Sequence, residues 1–325
     1  MGGIGIVVNP RSRQNQRDPR AALRLARKLG DQGVVRTAKS RDDLALIAED
    51  FRKLQIDVLG ISGGDGTNYV TITGFLAVYE EEPLPALAFL RGGTFNTVAN
   101  AVGVPRGRPD GLLAGLVTRY ADRSRNPLQW VERHVLRIGD HCGFIFGTGA
   151  IHGFISDYNR AEERDALWAA EVLARAVGKV LTGQPTAVAQ RWEGRVTVEG
   201  PAGTQVFPDR DYLAIGAGTI DQIGLGFRPF YRCSDERGTF QILGIHTSAL
   251  GFVSKLPDVW NARAMGPEHT YDAVAYRAVI EGRDGVVRYC CDGDVHEHPG
   301  PLVVETGPRV RILVAPPKGA FLRAS

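Results

Sequence analysis

Two glycine-rich runs carry the residue types that phosphate chemistry needs: Ser62-Gly63-Gly64-Asp65-Gly66-Thr67 and Arg91-Gly92-Gly93-Thr94-Phe95-Asn96. Glycines let backbone N–H groups close on phosphate oxygens, and a helix starting after Thr67 presents its positive N-terminal end to the same anion. Asp65 cannot favour a phosphate by charge. Its work is on a magnesium ion, on a proton, or on holding the loop. Thr94 and Asn96 add neutral donors and acceptors. A late run, Asp292-Gly293-Asp294, offers two more carboxylates. The segment Asn9-Pro10-Arg11-Ser12-Arg13 brings guanidinium groups, planar donors that fit phosphate oxygens in pairs.

These runs need strands and helices to position them. The first third of the chain alternates between the two. The pattern predicts strands over 4–8, 34–37, 56–61 and 85–90, each a short apolar run. Asp18-Pro19 signals a helix that Gly30 closes, and Ser40 with Asp42 and Asp43 signals another. Further helices are expected over about 68–79 and after Asn96. Strands alternating with helices at this spacing predict an open, mainly parallel sheet in an α/β domain. In such a sheet ligands sit beyond the carboxyl ends of the strands, so both glycine runs face one cleft. From about residue 133 short strands dominate: a hairpin at 134–138 and 142–146, then 195–199, 212–215, 239–245, 271–280, 286–291, 302–305 and 310–314. That texture predicts an all-β second domain, a sandwich, interrupted by one helix. The helix carries an apolar stripe of Trp168, Val172, Ala176 and Val180 with Glu171, Arg175 and Lys179 opposite. The expected domains are therefore 1–125 and 126–315, with about 316–325 returning to the first.

Composition narrows the function classes. Lys and Arg exceed Asp and Glu by 39 − 36 = 3 across 325 residues, which gives no electrostatic argument for nucleic acid as a partner. A hydrophobic content of 43% supplies material for sizeable cores. Four cysteines without a CxxC spacing argue against a disulfide scaffold and a structural zinc. His296 and His298 alternate on an expected strand, but two ligands make no zinc site. No apolar stretch of about 18 residues occurs and no signal peptide opens the chain, so a cytoplasmic location is expected. No GxSxG elbow or Ser-His-Asp order points to hydrolysis.

Val8-Asn9-Pro10, Gly63-Gly64-Asp65-Gly66-Thr67 and Gly93-Thr94-Phe95-Asn96 together resemble the diacylglycerol kinase catalytic-domain family, which includes bacterial lipid kinases and the sphingosine kinases. Asp292-Gly293-Asp294 resembles the family's closing Asp-Gly-Glu motif. The resemblance implies an N-terminal nucleotide-binding α/β domain, a C-terminal β-sandwich for the lipid, and transfer of the γ-phosphoryl group of ATP to a lipid hydroxyl with Mg2+. It implies nucleotide contacts at Asn9, Pro10, Arg11, Ser12, Gly63, Gly64, Asp65, Gly66, Thr67, Gly93, Thr94 and Asn96. Both Asp65 and Asp292 are candidates for the base. Asp292 is the better candidate by resemblance, and the assignment stays open. Asp294 stands where the family usually has Glu, as a candidate metal ligand. A lipid substrate at a peripheral membrane surface, the inner face of the membrane, follows as the expected partner, with a homodimer as the candidate assembly. The stripe on the Trp168 helix could flank a lipid entrance.

The chain also departs from the family. The loop after Pro10 has no glycine, and Arg91 and Phe95 bring bulk into the second glycine run. GGDG is shared with the NAD kinases, so a kinase of a soluble substrate is one alternative. A non-catalytic relative that binds nucleotide or lipid is another.

Overall fold

The computed structural model describes residues 2–93, 95–160, 166–184, 186 and 190–315, without the side chains of Arg13, Ala166 and Leu167. The expected return of 316–325 lies outside the described residues. The chain divides into two units, one built from the chain up to Arg133 and again from Arg309, the other from His134–Pro308.

In the first unit the order is β1 (Ile4–Val8), α1 (Arg13–Gln16), α2 (Ala21–Leu29), β2 (Gly33–Thr37), α3 (Arg41–Lys53), β3 (Val58–Ser62), α4 (Asp65–Tyr79), β4 (Ala86–Phe89), α5 (Thr97–Ala101) and α6 (Pro109–Ala121). The strands pair in parallel in the order β2-β1-β3-β4. β1 and β3 are buried along their whole length. Helices cover both faces of such a sheet, which is why these strands read as continuous apolar runs rather than alternating ones. One face is filled by Leu25 and Leu29 of α2 with Leu113, Leu116 and Tyr120 of α6. On α3 and α4, Phe51, Phe75 and Tyr79 pack ring against ring. Ser40 and Asp43 form the capping box that opens α3, each side chain bonding the other's backbone N–H.

Two helix starts differ from the sequence expectation. α2 begins at Ala21, not at Asp18, because the Asp18 carboxylate instead closes a turn by accepting from the Arg20 N–H at 3.1 Å. α4 begins at Asp65, so Asp65, Gly66 and Thr67 form the first helical turn and only Gly63 and Gly64 remain as connection. The helix α6, with Pro109 in its first turn, and the short α1 are additional to the expected elements.

The remaining strands are β5 (Trp130–Ile138), β6 (His141–Gly143), β7 (Ile145–Thr148), β8 (Trp192–Gly200), β9 (Gly203–Tyr212), β10 (Ala214–Gly218), β11 (Phe240–Ile245), β12 (Thr270–Ala275), β13 (Arg277–Gly282), β14 (Val286–Cys291), β15 (Asp294–Pro299) and β16 (Leu302–Leu313). Three helices intervene: α7 (Ala150–Asn159), α8 (Ala166–Leu181) and α9 (Ala249–Trp260). In the second unit the antiparallel ladders run β16-β13-β8-β9, with β5 and β6 as a hairpin, and β12-β11-β10-β7-β14-β15. Phe207 and Tyr212 of β9 meet Tyr271 of β12 ring to ring, so aromatic side chains fill the space between the two sheets.

The apolar run 271–280 is two strands. β12 pairs with β11 and β13 pairs with β8, so the chain switches sheets at Tyr276, whose N–H donates to the Glu199 carbonyl at 3.0 Å. The runs at 302–305 and 310–314 are one strand, β16. β9 is mostly exposed and lies at a sheet edge, where its Pro208 is tolerated. Its polar, proline-bearing sequence reads as a turn. α7 and α9 were not apparent either; α9 carries Pro257 in its interior, which ordinarily argues against a helix.

Candidate active site

β1, β3 and β4 end side by side, and the three connections that follow are fastened to one another. Asn9, the first residue past β1, donates from Nδ2 to the Thr67 hydroxyl at 3.0 Å and accepts the Arg11 N–H on Oδ1 at 2.8 Å. Pro10 lies in the turn that the Ser12 N–H closes on the Asn9 carbonyl at 3.2 Å. The buried Asn15 reaches back to the carbonyls of Asn9 and Ser62 at 2.8 and 3.0 Å. Asn15 lies in the basic run and was missed by sequence reading, because one amide among arginines gives no periodic or motif signal.

The two glycine turns touch through their backbones. A Cβ built on Gly64 would lie 2.8 Å from the Gly93 Cα, and one on Gly93 would lie 2.3 Å from the Gly64 Cα. No side chain fits either place. Gly64 has φ −97°, so the requirement for glycine there is close approach, not a left-handed backbone. The left-handed residues of the second turn are Arg91 (φ 52°) and Asn96 (φ 49°). Asn96 is buried and closes the turn on itself, accepting from the Gly93 N–H at 3.3 Å and donating to the Gly93 carbonyl at 2.8 Å. Thr94 lies outside the described residues.

Asp65 joins these turns electrostatically. The backbone N–H groups of Thr97 and Val98 and the Thr97 hydroxyl, at the start of α5, favour its charged form. Burial nevertheless pushes its pKa above the ordinary carboxylate value; those donors and the Arg91 guanidinium pull in the other direction. Arg91 fastens the far end of α5, donating to the Asn100 side chain at 2.5 Å and to the Val104 carbonyl at 3.2 Å. Asn100 in turn donates to the Phe95 carbonyl at 2.8 Å. The bulk at Arg91, which in the sequence reads as an obstruction, is therefore a brace across the second turn.

A cost follows for Asp65. In the unfolded chain its carboxyl ionises near 3.9. In the folded chain it ionises at higher pH, so the penalty is absent below the unfolded value and complete above the folded one. The stability of Asp65→Asn relative to the native chain should accordingly improve between pH 4 and pH 7.5. Thermal melts of both proteins across that range test this, and a difference that does not move with pH would contradict it.

Four buried polar atoms here have no hydrogen-bond partner: Ser12 Oγ, Asp65 Oδ1, Asn68 Oδ1 and Arg91 Nε. Buried polar groups are ordinarily satisfied, and a bound ion or water is one way in which an unsatisfied one is completed. Arg11 is exposed beside them.

Asp292 belongs to the second unit. It and Gly293 form the two-residue turn between β14 and β15, with φ of 47° and 95°. Positive φ at both central residues is the condition for the tight hairpin turn that Asp-Gly favours. Its carboxylate is aimed at the β6–β7 junction. Oδ1 accepts from the N–H groups of Phe144 at 3.0 Å and Ile145 at 2.9 Å, and Oδ2 lies 3.0 Å from the Phe144 nitrogen. Asp294 opens β15, paired with Cys291. Among the described residues no three His, Cys, Asp or Glu side chains gather as a metal cluster. The His296 ring lies against that of His141, tilted, at 4.2 Å and stacks on Tyr289 at 5.2 Å between ring centroids. All four cysteines are buried and none forms a disulfide.

A parallel α/β unit with paired glycine turns, accompanied by an antiparallel β unit, is the fold of the diacylglycerol kinases. A solved diacylglycerol kinase from Bacillus anthracis str. Sterne superposes with a TM-score of 0.63 at 16% identity, covering 97% of each chain. A second structure from that organism gives 0.67 at 16% identity over the same share. Residues 4–124 match the diacylglycerol kinase catalytic domain. Similar curated proteins include "Probable lipid kinase YegS" of Salmonella arizonae, 25% identical over 201 residues, 60% of this chain and 63% of the relative. The protein of that name from Shigella flexneri is 34% identical over 100 residues, 31% of this chain and 33% of the relative. The chain thus spans less than two thirds of the length of these relatives. Among the described residues no helix is long and apolar enough to cross a membrane.

Proposed function

We propose that this protein is an ATP-dependent lipid kinase that transfers the γ-phosphoryl group of ATP to a lipid hydroxyl at a membrane surface. The observation that carries the reading is the set of unpartnered buried atoms, Ser12 Oγ, Asp65 Oδ1, Asn68 Oδ1 and Arg91 Nε, gathered around two glycine turns in a catalytic-domain match. The glycine turns at Gly63–Gly66 and Gly92–Gly93 supply backbone N–H groups to the phosphates. Asn9 and Thr67 hold those turns in register, and Pro10, Arg11 and Ser12 lie along the same edge. Asn96 completes the second turn, and Thr94 is a further candidate contact to the phosphates.

In the reaction the lipid hydroxyl oxygen bonds to the γ-phosphorus, the bond from that phosphorus to the ADP oxygen breaks, and the hydroxyl proton passes to the Asp292 carboxylate. Asp65 holds the turns together and is the second carboxylate in the assignment. Mg2+ neutralises phosphate charge in such transfers and needs only one or two carboxylates beside the phosphates. The unpartnered Asp65 Oδ1 fits that demand in the first unit; Asp294, in the second, is a separate candidate ligand. Diacylglycerol- and sphingoid-like lipids are the substrate classes, and the action is peripheral, at the inner face of the membrane.

One observation favours a second reading, a non-catalytic binder of nucleotide or lipid. Both Asp292 oxygens already face backbone N–H groups, as a purely structural turn would require. Incubation of the purified chain with labelled ATP, Mg2+ and detergent-dispersed lipids decides between them. Organic-soluble label supports the kinase, label on a soluble acceptor redirects it to a kinase of the NAD kinase type, and nucleotide binding without turnover supports the binder.

The glycine-poor first loop makes a separate demand. If the Arg11 guanidinium meets phosphate, Arg11→Ala should weaken ATP more than adenosine, and the difference should shrink at high salt, where exposed charges are screened over about 8–10 Å. Equal losses for the two ligands in calorimetry would remove Arg11 from the phosphate site.

A further inference from the structure

At the opposite end of the same strands lies a cavity of about 650 Å³ that no part of the reading above uses. It opens at the amino ends of β3 and β4, and Arg52, Asp57, Glu82, Tyr120, Arg123, Trp130 and Arg311 are among the residues that line it. All lie in the first unit.

The charges lining this cavity are unevenly matched. Asp57 is already engaged by the Gly3 N–H and the Tyr120 hydroxyl. Glu82 stands 3.8 Å from Arg52, which also donates to the Val78 carbonyl at 3.0 Å. Arg123 and Arg311 have no carboxylate within ion-pair distance among the described residues. Elsewhere in this chain pairing is common, as in Arg195 with Glu281, Arg277 with Glu199 and Arg283 with Glu193 and Asp209.

What these two arginines have instead is an aromatic face, with one Arg123 N–H, on Nη1, also donating to the Tyr120 carbonyl at 2.8 Å. The Arg123 guanidinium sits 3.8 Å from the centre of the Tyr120 ring, and that of Arg311 5.3 Å from the centre of Trp130. Stacking occupies the flat face of a guanidinium and leaves N–H groups in its plane. Those edges match the spacing of phosphate oxygens, and a stacked side chain has less rotamer freedom left to lose on binding. The cavity is larger than a bare phosphate requires, and it is within the range of small-molecule sites. Trp130, 45% exposed, and the Pro83–Pro85 wall offer apolar surface to the rest of a ligand.

We propose that this cavity binds an organic phosphate, with the phosphoryl group on the Arg123 and Arg311 guanidinium edges and the organic part against Trp130. The site is distinct from the glycine turns. The phosphoryl group has two chemical sources, a free phosphate ester or a lipid headgroup.

Tryptophan fluorescence of the full chain tests the proposal, with glycerol 3-phosphate as the soluble probe and phosphatidylcholine vesicles with and without phosphatidic acid as the other. A saturable change with either probe is expected; it should disappear in Trp130→Phe. In Arg123→Gln with Arg311→Gln the affinity should fall at least tenfold, with an unaltered circular dichroism spectrum. Saturation by glycerol 3-phosphate supports a free ester as the source, and a response confined to phosphatidic acid vesicles supports a headgroup. The proposal is overturned by no saturable response to either probe, or by one that persists in Trp130→Phe or in the doubly substituted chain. Neither arginine touches the glycine turns, so the outcome stands whether or not the chain is a kinase.

Discussion

Asp292→Asn should lower lipid phosphorylation by about 10²–10⁴-fold, the usual contribution of a positioned general base. The substitution is informative because the turn can survive it. Asn-Gly is at least as good as Asp-Gly in a two-residue hairpin with positive φ at both positions, so β14 and β15 should stay paired. The amide oxygen can still accept from Phe144 and Ile145, as Oδ1 does now. What is lost is the charge, and with it part of the strength of those bonds. An amide NH2 also replaces Oδ2 at 3.0 Å from the Phe144 nitrogen, setting donor against donor. A stability loss of about 1–2 kcal/mol is therefore expected, the difference between a charge-assisted and a neutral hydrogen bond. Turnover under saturating ATP and lipid, alongside a melting curve, separates the outcomes. Loss of turnover with a modest fall in melting temperature supports the base. Full turnover with the same modest fall would leave Asp292 as a turn residue only.

Gly93→Ala should damage the nucleotide site severely. The new Cβ would stand 2.3 Å from the Gly64 Cα, and backbone cannot rotate away as a side chain can. The two turns must separate, at a cost of at least the 1–3 kcal/mol typical of overpacking. Separation also disturbs the Asp65 contacts with Thr97 and Val98, since Asp65 follows Gly64 directly. Affinity for a non-hydrolysable ATP analogue should fall more than tenfold, with a lower melting temperature. Gly64→Val, whose added Cβ stands 2.8 Å from the Gly93 Cα, should behave alike. Gly74→Ala in the interior of α4 is the control. Its Cβ meets only the Leu44 Cβ at an ordinary 3.5 Å, so it should stabilise by about 0.5–1 kcal/mol through helix propensity. Unchanged analogue binding in Gly93→Ala, measured by calorimetry, would mean that the contact between the turns does not shape the site.

The expectations read from the sequence divide by physical range. β1, β3 and β4 were legible because a parallel strand covered on both faces must be apolar along its length, and that is a property of consecutive residues. The Ser40 cap was legible because the two partners of a capping box are three positions apart. The glycine runs could be singled out for the same reason, since a turn that admits no side chain must write glycine locally. Interactions among distant residues left no such trace. That Asn9 grips Thr67, that Gly64 lies on Gly93, and that Asp65 feels the start of α5 while Arg91 braces its far end all depend on three strands ending side by side. The family resemblance marked all of these but Arg91, which reads as bulk, as nucleotide contacts; the tertiary structure spends many of their side chains on each other, while Ser12 Oγ and Asp65 Oδ1 have no hydrogen-bond partner. In the second unit the run 271–280 shows the same limit. Its β-propensity is continuous, and only the choice of partners, β11 for one half and β8 for the other, breaks it at Tyr276. Asp292-Gly293 was read only as a carboxylate motif; it is a tight hairpin turn, and its carboxylate is placed by the N–H groups of Phe144 and Ile145, nearly 150 residues earlier. A short motif dictates its own backbone; where its side chain points is decided by whatever the fold brings against it.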